Sequence, residues 1–197
     1  MKIPCITIAL VLFLLFSFNA YSVELRIGDR APNIVGNNAL DKTRFNLFRV
    51  MTEMKFLRDS EDNLVLGSNG KYKTEFVHNI VVLNFFAKSC IPCLREIPTI
   101  NRIAEKFKAK QVKFIYINVD PELSEEQFVR ISEKYKIRIP LITLNQKEAI
   151  RKYDVQKLPR LVIIGFNKHV VKIVTGYQKN LEQELGTYLN SLIQKTL

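Results

Sequence analysis

From Ile80 onward the chain alternates between two hydrophobic periods. Ile80-Val81-Val82-Leu83-Asn84-Phe85-Phe86 is a short apolar run rich in β-branched and aromatic residues. Its length and composition predict a buried central strand. Ile97, Ile100, Ile103, Ala104 and Phe107 then recur at helical spacing and predict a helix over about 91–108. Val112 to Val119 reads as a second strand. Pro121 and Ser124 open the next helix, Ser124-Glu125-Glu126-Gln127 has the form of a capping box, and Phe128, Ile131 and Tyr135 line its apolar face. A short strand over 141–144 and a short helix over 146–153 follow. Leu161–Ile164 and Val170–Val174 read as strands joined by a hairpin turn at Gly165-Phe166-Asn167-Lys168. Leu181, Leu185, Tyr188, Leu189, Leu192 and Ile193 mark a terminal amphipathic helix. This order predicts an α/β domain, a mixed sheet with helices on both faces.

Before Ile80 the pattern is weaker. Ile27-Gly28-Asp29-Arg30-Ala31-Pro32 reads as an extended lead into the domain. Phe45 to Leu57 mixes strand and helix signals. Asp59-Ser60-Glu61-Asp62-Asn63 is a polar turn, Leu64-Val65-Leu66 reads as a strand returning from it, and Gly67-Ser68-Asn69-Gly70 is another turn. The expectation is an extra N-terminal hairpin inserted ahead of the central strand.

The first 22 residues stand apart. Lys2 gives a charged start, Ile6 to Phe18 is almost purely apolar, and Ala20-Tyr21-Ser22 supplies small residues for a cut after Ser22. That is the pattern of a secretory signal peptide. An uncleaved anchor formed by residues 3–23 is the competing reading, although the apolar run falls short of the ~20 residues a spanning helix needs. Residues 23–197 form the domain. On either reading it is exported, to a periplasmic or other extracytoplasmic space where disulfide chemistry is at home.

Composition narrows the class. The chain has 197 residues, 47% of them hydrophobic, which is one domain with a real core. The net charge of +11 is spread along the chain, with a local crowd at Lys106, Lys108, Lys110 and Lys113. That crowd reads as a solvated helix face rather than a nucleic-acid groove, so no nucleic acid is expected as a partner. With three cysteines, one of them Cys5 in the leader, the domain holds a single pair and is not a disulfide-rich scaffold.

That pair is Cys90-Ile91-Pro92-Cys93, at the turn from the apolar strand into the first helix. First-turn N–H groups have no partner within the helix, and the helix dipole is positive there. Both favour a thiolate at Cys90, and the thiolate is the nucleophile. Cys93 is three residues on, on the same face, and can attack a mixed disulfide formed at Cys90. Pro92 gives up an N–H that the first turn leaves unpaired. A structural disulfide or two buried thiols is the plainer alternative. The strand-to-helix context argues for the redox reading.

This order of elements, with the cysteine pair at the first strand-to-helix turn, resembles the thioredoxin fold. Leu83-Asn84-Phe85-Phe86-Ala87, followed by Cys90-x-Pro92-Cys93-x-x-Glu96-Ile97-Pro98, is more narrowly similar to the exported TlpA-like thiol-disulfide oxidoreductases. Ile27–Pro32 resembles the opening motif of that family, and Val119-Asp120 its second-strand ending. The resemblance covers about 27–197 and is weakest across 40–75. It implies a protein-disulfide reductase acting on exported clients, as in cytochrome c maturation. It also implies a membrane-bound electron donor, a monomer, and no cofactor or metal besides the redox-active Cys90–Cys93 pair. It makes Pro159 a cis proline beside the cysteines and Leu158 a residue whose backbone pairs with a client, with Ile91 and Pro92 also facing the client. It makes Glu96 a partly buried acid that handles a proton for Cys93, against the ordinary reading of a surface carboxylate. Lys88 and Arg95 flank the site and either aid the thiolate or are simply solvated.

Three departures from the family pattern stand out. Ser89 occupies the usual Trp position, Leu158 replaces a smaller β-branched residue, and Asn84 stands where cytoplasmic thioredoxins carry a buried Asp. The residues between the cysteines carry no charge, which argues for a reductant over a strong oxidant. Two other classes fit the residues less well. A peroxiredoxin-like thiol peroxidase needs a P-x-x-x-T-x-x-C string, and Leu83 and Ala87 occupy its Pro and Thr positions. A zinc or copper carrier would draw on Cys90, Cys93, His78 and His169, but the histidines lack paired spacing.

Overall fold

A computed structural model describes residues 24–120 and 123–195. The leader, Cys5 and the expected helix start at Pro121 lie outside the described residues. Among the described residues, no helix is long and apolar enough to cross a membrane.

Five strands build the central sheet: β5 (Ile80–Phe86), β6 (Val112–Asn118), β7 (Leu141–Thr143), β8 (Arg160–Ile164) and β9 (Val170–Thr175), in the order β7-β6-β5-β8-β9. β6 runs parallel to β5, and β7 parallel to β6. β8 is antiparallel to β5, and β9 to β8. Every residue of β5 is buried, because helices cover both faces. On one side lie α2 (Ile91–Lys106), α3 (Glu125–Lys134) and α5 (Leu181–Gln194). On the other lie α1 (Leu47–Met51) and α4 (Gln146–Tyr153). The α2 face seats Ile97, Ile100, Ile103 and Phe107 against Val82, Phe86 and Phe114. Each such side chain contributes roughly 2 kcal/mol of burial. Pro98 lies inside α2 on its exposed side and cannot donate to the Leu94 carbonyl one turn back. The capping box of α3 forms as read: Ser124 Oγ accepts from Gln127 N–H, and Gln127 Oε1 accepts from Ser124 N–H at 3.1 Å.

The N-terminal third differs most from its sequence pattern. The lead segment is not simply extended. Gly28 takes φ +98° in a turn closed by Asp29 Oδ2, which accepts from Arg26 N–H. Gly28 N–H then donates to Val170 O, and Ala31 N–H to Lys168 O, tying the segment to β9. A small hairpin, β1 (Val35–Asn37) with β2 (Arg44–Asn46), precedes α1 and has no clear signal in the sequence.

The expected extra hairpin exists, but its strands are not those read from the sequence. β3 (Thr52–Phe56) pairs with β4 (Thr74–His78) in a separate two-stranded sheet. Leu64–Leu66 lies in the tip between them, where Leu64 bridges to Arg58 and Leu66 to Tyr72. The mismatch has a physical cause. The outward face of the hairpin carries large apolar residues that bury nothing, so inside and outside cannot be told from the pattern.

Candidate active site

β5 ends at Phe86, and four residues later Cys90 caps α2. Cys90 is therefore the N-cap residue and Cys93 the third residue of the helix, a small refinement of the expectation that both lie in the first turn. Cys93 N–H donates to Cys90 Sγ at 3.2 Å, so the sulfur stands in the place of the usual capping oxygen. The two sulfurs are joined in a disulfide. Cys90 is half-buried and Cys93 is buried. Ile91 (62% exposed) and Pro92 stand open beside them. A reagent therefore meets Cys90 first, while Cys93 is reached only through it. After reduction, the Cys93 amide and the helix N-terminus both favour negative charge on Cys90.

Glu96 lies one turn beyond Cys93 on the same helix face and is buried. Its Oε1 accepts the Gln178 N–H at 3.2 Å, from the loop between β9 and α5. Burial pushes the Glu96 carboxyl above its ordinary pKa, and the Gln178 hydrogen bond offsets part of that rise. The hydroxyl of buried Tyr116 donates to Ile97 O at 3.1 Å and also contacts Asn101 Oδ1. Burial, and next the Glu96 charge, push the Tyr116 pKa up. Glu96 is thus buried where α2 packs on β6. The surface-carboxylate alternative does not hold.

The peptide bond between Leu158 and Pro159 is cis, just ahead of β8. Leu158 is half-buried and, like Cys90, packs against the cores on both faces of the sheet. Asn84 is buried on β5, and its Nδ2 has no hydrogen-bond partner. Lys88 and Arg95 are exposed. His78 lies on β4, with its Nδ1 against Thr52 Oγ1, and His169 lies in the β8–β9 turn, with its ring bonded to Asn167 O. Among the described residues, no group of three or more His, Cys, Asp or Glu side chains could hold a metal ion, so the four-ligand set is not assembled.

Two residues beside the site escaped the sequence reading. Gln178 is 82 positions from Glu96, and no local pattern links them. Arg160 directly follows Pro159 and is buried. Its guanidinium contacts Asp154 Oδ2 at 3.4 Å and donates to Thr175 Oγ1 at 3.0 Å, while its Nε has no partner. A charged residue inside a strand of otherwise apolar Leu161-Val162-Ile163-Ile164 was the available signal.

Comparison with known proteins agrees with this architecture. The thiol-disulfide oxidoreductase ResA of Geobacillus kaustophilus is 34% identical over 113 residues, covering 57% of this chain and 62% of that protein. ResA of Geobacillus thermodenitrificans is 32% identical over 120 residues, 60% and 66% of the two chains. The chain thus spans less than two thirds of the length of these curated relatives. Among solved structures, a putative thiol:disulfide interchange protein DsbE from Chlorobium tepidum superposes with a TM-score of 0.66 over 86% of this chain and 99% of that one. At 18% identity this likeness establishes the thioredoxin-like fold. Residues 63–173 match the AhpC/TSA family, a span of more than half the chain that runs from the β3–β4 tip through the cysteine pair into β9. With the fold, the cysteine pair at the head of α2 and this match in agreement, the chain belongs to the thioredoxin-like AhpC/TSA family.

Proposed function

We propose that this protein is an extracytoplasmic thiol-disulfide oxidoreductase that reduces disulfides of exported client proteins. One observation carries the reading: a disulfide joins a reachable Cys90 at the helix N-terminus to a buried Cys93, with Glu96 buried one turn further on. The similarity to proteins named thiol-disulfide oxidoreductase supports it.

In the reduced protein, the Cys90 thiolate attacks one sulfur of a client disulfide. The client S–S bond breaks, a Cys90–client mixed disulfide forms, and the second client sulfur leaves as a thiolate that takes a proton from solvent. The Glu96 carboxylate then accepts the Cys93 proton. The Cys93 sulfur attacks Cys90 Sγ, expelling the first client sulfur and closing the Cys90–Cys93 disulfide. Two electrons pass to the client, and a dithiol donor, which the resemblance suggests is membrane-bound, must return them. Ile91, Pro92 and the Leu158–Pro159 backbone form the surface on which a client chain is received. The uncharged Ile91 and Pro92 leave the thiolate without a side-chain cation between the cysteines, which favours reduction over oxidation of clients. The leader pattern of residues 1–22 supports export, with or without retention as an anchor.

The test is Cys93→Ala expressed with its own leader in the exporting host. The expected result is a mixed disulfide at Cys90 whose partner, recovered by reduction, is an exported protein. Finding no adduct while the variant still turns over insulin at the wild-type rate overturns the two-cysteine mechanism. Equilibration with glutathione tests direction, since a potential near the −120 mV of strong oxidants would reverse it.

A further inference from the structure

The β3–β4 hairpin, residues 52–78, stands outside the central sheet as an arm. Its root is held by Asn79 N–H donating to Met51 O and by the Lys113–Glu53 ion pair at 3.1 Å. Register fixes what each face carries. Met54 lies opposite Phe76, and Phe56 opposite Thr74, all on one face, while Glu53, Lys55 and Glu75 take the other. The apolar face continues toward the tip. The Phe56 and Tyr72 rings meet edge to face at 6.2 Å, and Tyr72 bridges to Leu66. Met54, Phe56, Leu66, Tyr72 and Phe76 are between 51% and 70% exposed. With a large side chain carrying roughly 200 Å², this stripe presents on the order of 500 Å² of apolar surface. That lies at the upper end of what a typical monomer shows, where such patches mark contact sites.

We infer that this face is the interface of a two-fold dimer, in place of the monomer that the family resemblance implies, and that its occupant is the same face of a second copy. Two observations select that occupant. The first is charge. The arm holds four Lys and Arg against five Asp and Glu, a net of −1 on a chain of +11. The excess positive charge therefore lies elsewhere, and the arm is where two like-charged copies approach with little repulsion. The acidic turn Asp59, Glu61 and Asp62 at the same tip disfavours an anionic lipid surface as the occupant. The second is size. A standard interface takes about 800 Å² from each partner. The apolar stripe supplies most of that, and its polar margin of Thr52, Thr74 and His78 supplies a rim. The contact is isologous, so Met54 and Phe76 of each copy meet their counterparts around one axis.

Sedimentation velocity of the full-length protein in mild detergent, from about 1 to 100 µM and with reductant present, tests this. The wild type should dimerise, with little change between 50 and 500 mM salt. Met54→Lys with Phe76→Lys should weaken the dimer by more than about a hundredfold, while insulin reduction stays at the wild-type rate. Both positions are exposed, and circular dichroism verifies that the variant folds. Four results overturn the proposal: a wild type monomeric throughout, a dimer that the substitutions leave intact, a dimer that reductant dissolves, or a monomer whose arm binds anionic vesicles.

Discussion

Replacing Glu96 with Gln keeps the size and the Gln178 hydrogen bond but removes the acceptor for the Cys93 proton. A thiol of ordinary acidity, pKa about 8.5, is only about 3% thiolate at pH 7. If Cys93 had to ionise unaided, its attack on the mixed disulfide would run at about one thirtieth of its full rate at that pH. Glu96 is buried one turn away with a raised pKa, which makes it a better base than an ordinary surface carboxylate. The expected defect of Glu96→Gln is therefore at least about 30-fold at pH 7, and it shrinks as pH rises and solvent base takes over the proton. The measurement loads Cys90 with thionitrobenzoate as a chromogenic mixed disulfide and follows its release by Cys93 in a stopped-flow instrument. Formation of that adduct, which depends on Cys90 alone, should be unchanged. A release defect that stays constant from pH 7 to 9, or no defect at all, refutes proton transfer by Glu96.

The same substitution should reveal itself in stability. Folded Glu96 keeps its proton to a higher pH than it does in the unfolded chain. Its contribution is therefore full below the ordinary carboxylate range and is lost as pH rises through its raised value. Urea midpoints should show Glu96→Gln gaining on the wild type between pH 4 and 7.5, and a gap that narrows instead reverses the sign. Asp154 caps α4 at φ +50°, a conformation that Asn also adopts readily, so Asp154→Asn removes charge without backbone strain. It leaves Arg160 with a neutral acceptor and the weaker influence of Glu24, and should cost about 1 kcal/mol in urea unfolding, whereas no measurable loss would mean that the pair adds nothing. Ser124→Ala opens the capping box of α3 and should cost about 1 kcal/mol by the same measurement, with insulin reduction unchanged.

The sequence was most legible where burial is two-sided or periodic. Ile80–Phe86 is apolar on both faces because helices lie on both, and the 97–107 stripe of α2 points at one core. The cysteine site was legible because it is local, with Cys90, Cys93 and Glu96 set by helical spacing. The burial of Glu96 was not, since it depends on Gln178 and Tyr116 arriving from distant strands and loops. Arg160 was missed because a lone cation in a strand says nothing about an acid six residues earlier whose left-handed backbone turns it inward. The arm defeated the pattern for the opposite reason. Its apolar residues face solvent, and the logic of inside and outside assigned strands to its tip.

Pro98 has a mechanical consequence. Without an amide hydrogen there, the helical ladder lacks the rung that would fasten the Leu94 carbonyl. Once the disulfide opens, the two sulfurs must separate. Cys93, Glu96 and Ile97 are buried like Ile100 and Ile103 and hold the opening turns in place, so the separation falls to the sulfur side chains and to half-buried Cys90. The turn above the missing rung is thus held by its packing and by the Gln178 amide rather than by a complete ladder.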